Sequence, residues 1–374
     1  MSIVFPSPLS ELRSPIEAVR QFTPNWFAMT MGTGILALVL AQYPDHPILH
    51  DIGEGLWLAN IILFATFALA YGTRWLLFFQ EARRVFLHPV MSMFLGCIPM
   101  GLATITNGFL LYGIDRFGPV AVDIAFVLWC FDALLAALLG VVLPFLMFTR
   151  QSHAIEQMTA VWLLPVVASE VAAVSSALLI PYLDAASTQL ALMLVSYVLW
   201  ALSVPLAMSV LVILFLRMAL HNLPHAGMAA TSWLALGPIG TGALGMFLLS
   251  SAAPIALEAN GLGQYSSIIG GVSLMGGMLL WGYGLWWLAL AFLITLRYLR
   301  HGLPFNLGWW GYTFPLGVYT LSTIRLATIL PIPAIATFGA ILAVVLAALW
   351  CAISGRTLKG AWRGTLFFSP CLND

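Results

Sequence analysis

The sequence predicts an all-α polytopic membrane protein of ten transmembrane helices, and three observations lead there. The first is composition: charged residues are 7% of the 374-residue chain and hydrophobic residues 61%. Soluble domains carry about 25% charged residues, so a chain of this length could not cover a core with so few. Mean hydropathy is +1.00. The second observation is a run of apolar stretches, each near the roughly 20 residues that a crossing needs. The third is the alternation of cations between the ends of those stretches.

In order, the stretches are about 25–43, 52–71, 89–110, 120–146, 157–182, 188–216, 228–252, 265–296, 306–329 and 333–353. The sixth and eighth are longer than a perpendicular crossing requires, which predicts tilt. An even number of spans puts both ends of the chain on one side. With that side cytoplasmic, Arg13, Arg20, Arg74, Arg83, Arg84, Arg150, Arg217, Arg297, Arg300, Arg356, Lys359 and Arg363 all fall at cytoplasmic ends. Arg116 and Arg325 remain, a split of 12 against 2 among the 14 Lys and Arg. Such a bias is the positive-inside signal. The opposite loops carry Asp45, Asp51, Asp115, Asp184 and Glu258.

The expected layout is a cytoplasmic tail over 1–22, a ten-helix domain over 23–354 and a second cytoplasmic tail over 355–374. The expected location is the plasma (inner) membrane. The chain does not open with a short apolar stretch and a small-residue cleavage site, so no secretory signal is read. No polar segment is long enough to fold as a separate soluble domain.

Proline marks every second span. Pro99, Pro165, Pro238 and Pro315 stand near the middle of the third, fifth, seventh and ninth spans. Proline lacks an N–H and clashes with the carbonyl four residues back, so it kinks or opens a helix. Freed carbonyls are tolerated at membrane depth only inside protein or along a watery cavity. The first span has Gly32-Thr33-Gly34 in place of a proline. Among even spans only the sixth has a central proline, Pro205. Five broken spans alternating with straighter ones favour a ring around an axis.

Small residues follow the same division. The seventh span holds Gly237, Gly240, Gly242 and Gly245, and the ninth holds Gly311, Thr313, Gly317, Thr320 and Thr323. They either let helices approach closely or line a lumen. Gly32, Thr33, Gly34, Gly237 and Gly240 are the candidates for lumen-lining positions. The glycines of the eighth span, Gly270, Gly271, Gly276, Gly277, Gly282 and Gly284, are assigned to packing against a neighbour.

Phe314 precedes the proline of the ninth span, in Trp309-Trp310-Gly311-Tyr312-Thr313-Phe314-Pro315-Leu316-Gly317. It is either the gate of an anion pore or an aromatic packed between helices.

Ionisable residues at membrane depth are functional candidates because an isolated charge there is costly. Asp132 lies deep on an even span and is assigned a structural hydrogen bond. Glu170 and Arg325 are on odd spans, about 20 Å and about 30 Å from the cytoplasmic ends at 1.5 Å per residue. Either the two pair, or Arg325 stands in an outer vestibule and concentrates anions.

Cys97, Cys130, Cys351 and Cys371 are scattered, and His221 and His225 are separated by Pro224, so no metal site is expected. No protease, phosphate-loop or dinucleotide motif is present. An enzyme, a cofactor, a nucleic-acid partner and an ATP-binding subunit are therefore not expected.

Phe22-Thr23-Pro24-Asn25-Trp26-Phe27-Ala28-Met29-Thr30-Met31-Gly32-Thr33-Gly34 resembles the opening span of the tellurite-resistance/dicarboxylate transporter family. Leu236-Gly237-Pro238-Ile239-Gly240 and the stretch from Trp309 to Leu316 resemble its seventh- and ninth-span motifs. The family includes bacterial tellurite-resistance channels, malate permeases, sulfite efflux pumps and plant slow anion channels. The resemblance covers about residues 20–350. It implies five helical hairpins, with odd helices kinked around a central pore and even helices outside. It also implies a homotrimer with one pore per subunit, occluded by Phe314.

The function expected is gradient-driven movement of small anions, among chloride, nitrate, sulfite, tellurite and dicarboxylates. Two rival readings stand beside it. One is a proton-coupled transporter for sulfite or dicarboxylates, with Glu170 carrying the proton. The other is a non-transporting membrane scaffold or sensor.

Overall fold

The computed structural model describes residues 7–372. Of the two expected tails, residues 1–6 and 373–374 lie outside the described residues. Ten principal helices carry the fold: α1 Phe27–Leu40, α2 Pro47–Leu77, α3 Cys97–Gly108, α4 Val120–Thr149, α5 Leu164–Leu179, α6 Ala186–His221, α7 Leu236–Ala259, α8 Ser266–Leu299, α9 Thr313–Ile329 and α10 Pro333–Arg363. The described residues contain no strand. Eight of the ten, with the short turns that lead into them, are long and apolar enough to cross a membrane. The other two, α1 and α9, have 14 and 17 residues.

Burial divides the helices into two classes. The segments containing α3, α5 and α7 are 78%, 94% and 72% buried over their most apolar windows. The corresponding values for α2, α4, α6, α8 and α10 are 22%, 28%, 33%, 22% and 22%. Helices α1 and α9 belong with the buried class, since 12 residues of each are buried. The buried helices touch one another in the closed order α1, α3, α5, α7, α9 and back to α1. Each remaining helix lies against two of them: α2 on α1 and α3, α4 on α3 and α5, α6 on α5 and α7, α8 on α7 and α9, α10 on α9 and α1. The result is an inner ring inside an outer ring.

Composition accounts for the division. Inner helices meet backbone to backbone, which requires residues without bulk. A Cβ added at Gly34 would come within 1.9 Å of Thr104 Oγ1, and one at Gly240 within 2.8 Å of the Tyr319 nitrogen. Outer helices turn Leu69, Phe148 and Leu279 outward, each more than two-thirds exposed. A lipid solvent accepts such a surface at no cost.

The prolines do not bend helices at mid-length as the sequence suggests. Each stands in the first turn of its α-helix: Pro165 is the second residue of α5, and Pro99, Pro238 and Pro315 are the third residues of α3, α7 and α9. There the missing N–H has no partner to lose. The change of geometry lies just before the proline, where 3₁₀ turns Met91–Gly96, Ala160–Leu163 and Leu307–Tyr312 lead into α3, α5 and α9. A short helix, Thr231–Leu234, leads into α7. Pro144 and Pro205 lie well inside α4 and α6, which run on through them.

The chain ends are packed onto one end of the ring. The helix Ile16–Arg20 is held by Arg20, whose Nε and Nη2 each donate to the Glu81 carboxylate at 2.8 Å. That guanidinium keeps the Glu81 carboxyl below its ordinary range. Fully buried Arg74 donates to the Phe22 carbonyl and to Ser369 Oγ. The expected boundary at 354 falls inside α10, which continues through polar residues to Arg363.

Candidate functional site

All five inner α-helices begin at one level, at Phe27, Cys97, Leu164, Leu236 and Thr313. Between these starts lies a cavity of about 30 Å³. Met31 of α1, Met100 of α3, Val167 of α5, Gly237 of α7, and Phe314 and Pro315 of α9 line it. Thus every helix of the inner ring contributes to the wall. The volume is that of about one water molecule, so the axis is closed here. Phe314 is 3% exposed. A Cβ added at Gly237 would meet only Pro315 Cγ, at 4.0 Å, so this glycine leaves space beside the ring.

A larger recess of about 590 Å³ opens on the side of the helix starts. Asn25, His225, Phe305 and Asn306 line it. Leu234 and Gly311 line both this recess and the small cavity. The distance between open recess and closed axis is therefore one layer of side chains.

The electrostatics follow from the helix starts. The first turns of an α-helix carry unpaired N–H groups and a partial positive charge. Five α-helix starts converge around the cavity; Phe27, Cys97, Leu164 and Thr313 already donate their N–H groups into the preceding turns, so what the starts offer an ion is the aligned peptide dipole. No Lys, Arg, Asp or Glu lines it. Hydroxyls of the inner helices are turned back onto their own backbone. Thr30 donates to the Phe27 carbonyl, Thr313 to that of Trp310, Thr320 to that of Leu316 and Ser176 to that of Ala173. Such bonds satisfy the hydroxyl without a partner helix. The arrangement suits passage of an anion with little affinity for it.

Of the five candidate lining positions, only Gly237 is on the cavity. Gly32 is packed against Thr313 and Trp310, Gly34 against Thr104 and Asn60, and Gly240 against Tyr319, each at a distance that excludes a side chain. Thr33 Oγ1 accepts from Trp350 Nε1 of α10. These residues are small because helices meet there. The glycines of α8 divide as well: Gly277 and Gly284 abut Phe247 and Tyr319 of the inner ring, and Gly271 and Gly282 meet nothing within 4 Å.

Glu170 and Arg325 do not pair among the described residues. The Glu170 carboxyl is fully enclosed and has no hydrogen-bond partner of ordinary geometry. Ser203 of α6 is its polar neighbour, and Gly242 of α7 lies against it. It therefore faces the outer ring and not the cavity. Arg325 Nη2 donates to Ser251 Oγ of α7 at 2.6 Å, near the far end of α9. Asp132 of α4 is 1% exposed, and neither carboxylate oxygen has a partner among the described residues. The structural hydrogen bond expected of it is not formed.

Met31, Met100 and Val167 were missed by the sequence reading. An apolar side chain facing a closed lumen carries no signal that separates it from one facing lipid. Position relative to the proline is the one usable marker, since Met100 and Val167 follow Pro99 and Pro165 within two residues.

The chain is similar to known membrane transport proteins. The family model described as "Voltage-dependent anion channel" matches residues 21–358. A sulfite efflux pump, SSU1, of Arthroderma otae is 35% identical over 355 residues, 94% of this chain and 93% of the relative. An uncharacterized transporter of Methanocaldococcus jannaschii is 30% identical over 317 residues, 84% of this chain and 86% of the relative. A malic acid transport protein of Schizosaccharomyces pombe is 24% identical over 352 residues, 89% and 77% respectively.

Proposed function

The chain belongs to the voltage-dependent anion channel family, and from that premise we propose that it carries small anions down their gradient along the axis of the inner ring, with Phe314 as the gate. The carrying observation is the small cavity beside Phe314, to which all five inner helices contribute. A ring standing in the axis beside this cavity blocks it at rest. Moving the ring opens a path lined by apolar side chains and helix starts, where an anion meets partial positive charge without a tight site.

The substrate class we assign is a small oxyanion, sulfite first. Its support is the 35% identity to sulfite efflux pumps over nearly the whole chain. Chloride, nitrate, tellurite and dicarboxylates complete the panel to be tested. The protein works in a multi-pass setting, with ten crossings, both termini cytoplasmic, in the plasma (inner) membrane and as a homotrimer. The 12-to-2 cation bias supports that orientation.

The test is anion flux into proteoliposomes. Phe314→Ala is expected to raise flux by about tenfold or more. Unchanged flux from a monodisperse Phe314→Ala protein overturns the gate. Absence of flux for every anion, in both proteins, overturns transport itself.

A second reading, proton-coupled transport, is favoured by one observation: the Glu170 carboxyl is enclosed with no hydrogen-bond partner of ordinary geometry among the described residues. Uncompensated ionisable groups at membrane depth are typical of proton relays. Flux driven by a pH gradient, and no longer so in Glu170→Gln, supports it. Flux indifferent to the gradient in the parent protein removes it.

A further inference from the structure

Each outer helix carries one tryptophan whose indole N–H crosses to the inner ring. Trp57 of α2 donates to the Ile105 carbonyl of α3 at 3.1 Å. Trp129 of α4 donates to the Ala172 carbonyl of α5 at 3.0 Å. Trp200 of α6 donates to the Gly242 carbonyl of α7 at 3.0 Å. Trp281 of α8 donates to Thr323 Oγ1 of α9 at 3.0 Å. Trp350 of α10 donates to Thr33 Oγ1 of α1 at 3.1 Å. The order is cyclic: every outer helix binds the inner helix that follows it, and the last binds the first.

The acceptors lie within about one helical turn of one another along the axis. They stand 6, 8, 8, 6 and 10 residues beyond the first residues of α1, α3, α5, α7 and α9. At 1.5 Å per residue that is about 9–15 Å along the axis from the cavity. Five bonds within this band form a belt around the ring. The α8–α9 member is doubled, because Tyr319 Oη donates to the Trp281 carbonyl at 2.8 Å and the two rings stack.

We propose that these five tryptophans are positioning residues that fix the radius of the inner ring and so the size of anion that passes once Phe314 has moved. The inference rests on the axis being the anion path. An indole N–H at membrane depth has no water to turn to, so each donor holds its inner helix to its outer helix. An inner helix held at this level can pivot but cannot move outward. Without the bond, the small-residue contacts between inner helices, which give no directional restraint, are free to separate.

The experiment compares Trp200→Phe, Trp281→Phe and Trp350→Phe with the parent and with Trp286→Phe, an exposed tryptophan of α8. Phenylalanine keeps a ring and removes the donor. Purified proteins are reconstituted, and the reversal potential is recorded for malate against chloride in the Phe314→Ala background, where the axis is open. Each belt variant is expected to raise the malate-to-chloride permeability ratio at least threefold, with Trp286→Phe unchanged. Thr33→Val and Thr323→Val remove the acceptor instead and are expected to do the same, so poor folding of one partner does not end the test. Combining Trp350→Phe with Thr33→Val should add nothing to either alone. Parent-like ratios in monodisperse belt variants, even with lower melting temperatures, leave the tryptophans only structural and overturn the proposal. If Phe314→Ala itself fails to raise flux while the belt variants do, the gate reading fails and the belt stands.

Discussion

The inner and outer rings are both built from apolar sequence, yet they answer to different solvents. The outer helices present Leu, Val, Ile and Phe to lipid and are mostly exposed. The inner helices are almost wholly enclosed and meet through Gly32, Gly34 and Gly240, where a single added carbon would strike a neighbour. Lipid gives no hydrophobic drive for helices to associate, so contact is won by close fit and by hydrogen bonds. The comparison teaches that the inner ring is closed by what its helices lack. They lack bulk, they lack N–H groups at the prolines, and their cavity lacks formal charge.

The largest expected effect that sharpens this contrast is on conduction. Phe314→Ala should raise flux by about tenfold or more, whereas Phe148→Ala, at a lipid-facing position of α4, should leave it within twofold; proteoliposome flux decides. Adding Gly237→Leu to Phe314→Ala should close the axis again, because Gly237 is the glycine that leaves room beside Phe314. Retained flux in that double variant would place the path elsewhere.

Next comes stability. Gly240→Ala and Gly34→Ala should destabilise by about 1–3 kcal/mol through overpacking. Gly271→Ala and Gly282→Ala, with open space around them, should be neutral or stabilising by up to about 1 kcal/mol from helix propensity. Thermal unfolding in detergent measures both, and equal effects in the two rings would break the comparison.

The smallest effect lies outside both rings, at the Arg20–Glu81 pair. The carboxyl is held low in the folded protein, so the pair's contribution is present above the ordinary carboxylate range and is lost as pH falls through the lowered value. Both side chains are partly exposed, so the loss should be under about 1 kcal/mol. Unfolding of Glu81→Gln should show a correspondingly flatter acid dependence below the ordinary carboxylate range.

Much of the fold is written along the chain. Pro99, Pro165, Pro238 and Pro315 mark four of the five inner helices, and the sequence opening at Phe22 marks the first. The belt also left a trace: Trp57, Trp129, Trp200, Trp281 and Trp350 recur at intervals of 69–81 residues, one on each even span. It went unread because Trp is abundant, at 14 residues, and single indoles also sit at membrane interfaces. Gly32, Gly34, Thr33 and Gly240 were expected on a lumen and stand where helices meet. A small residue reads the same whether it faces a lumen or another helix.

By itself the sequence determined the solvent, the helical class and which spans carry a proline, because each of these depends on composition or on spacing within one helix. Which face of each helix points inward, that Glu170 looks toward α6 and α7 while Arg325 binds Ser251, and that five helix starts close around Phe314, only the tertiary structure decided. The physical reason is that lipid and protein interior are alike in polarity. The periodic contrast that orients a helix in a soluble protein is absent, and orientation is set by packing between helices far apart in the chain.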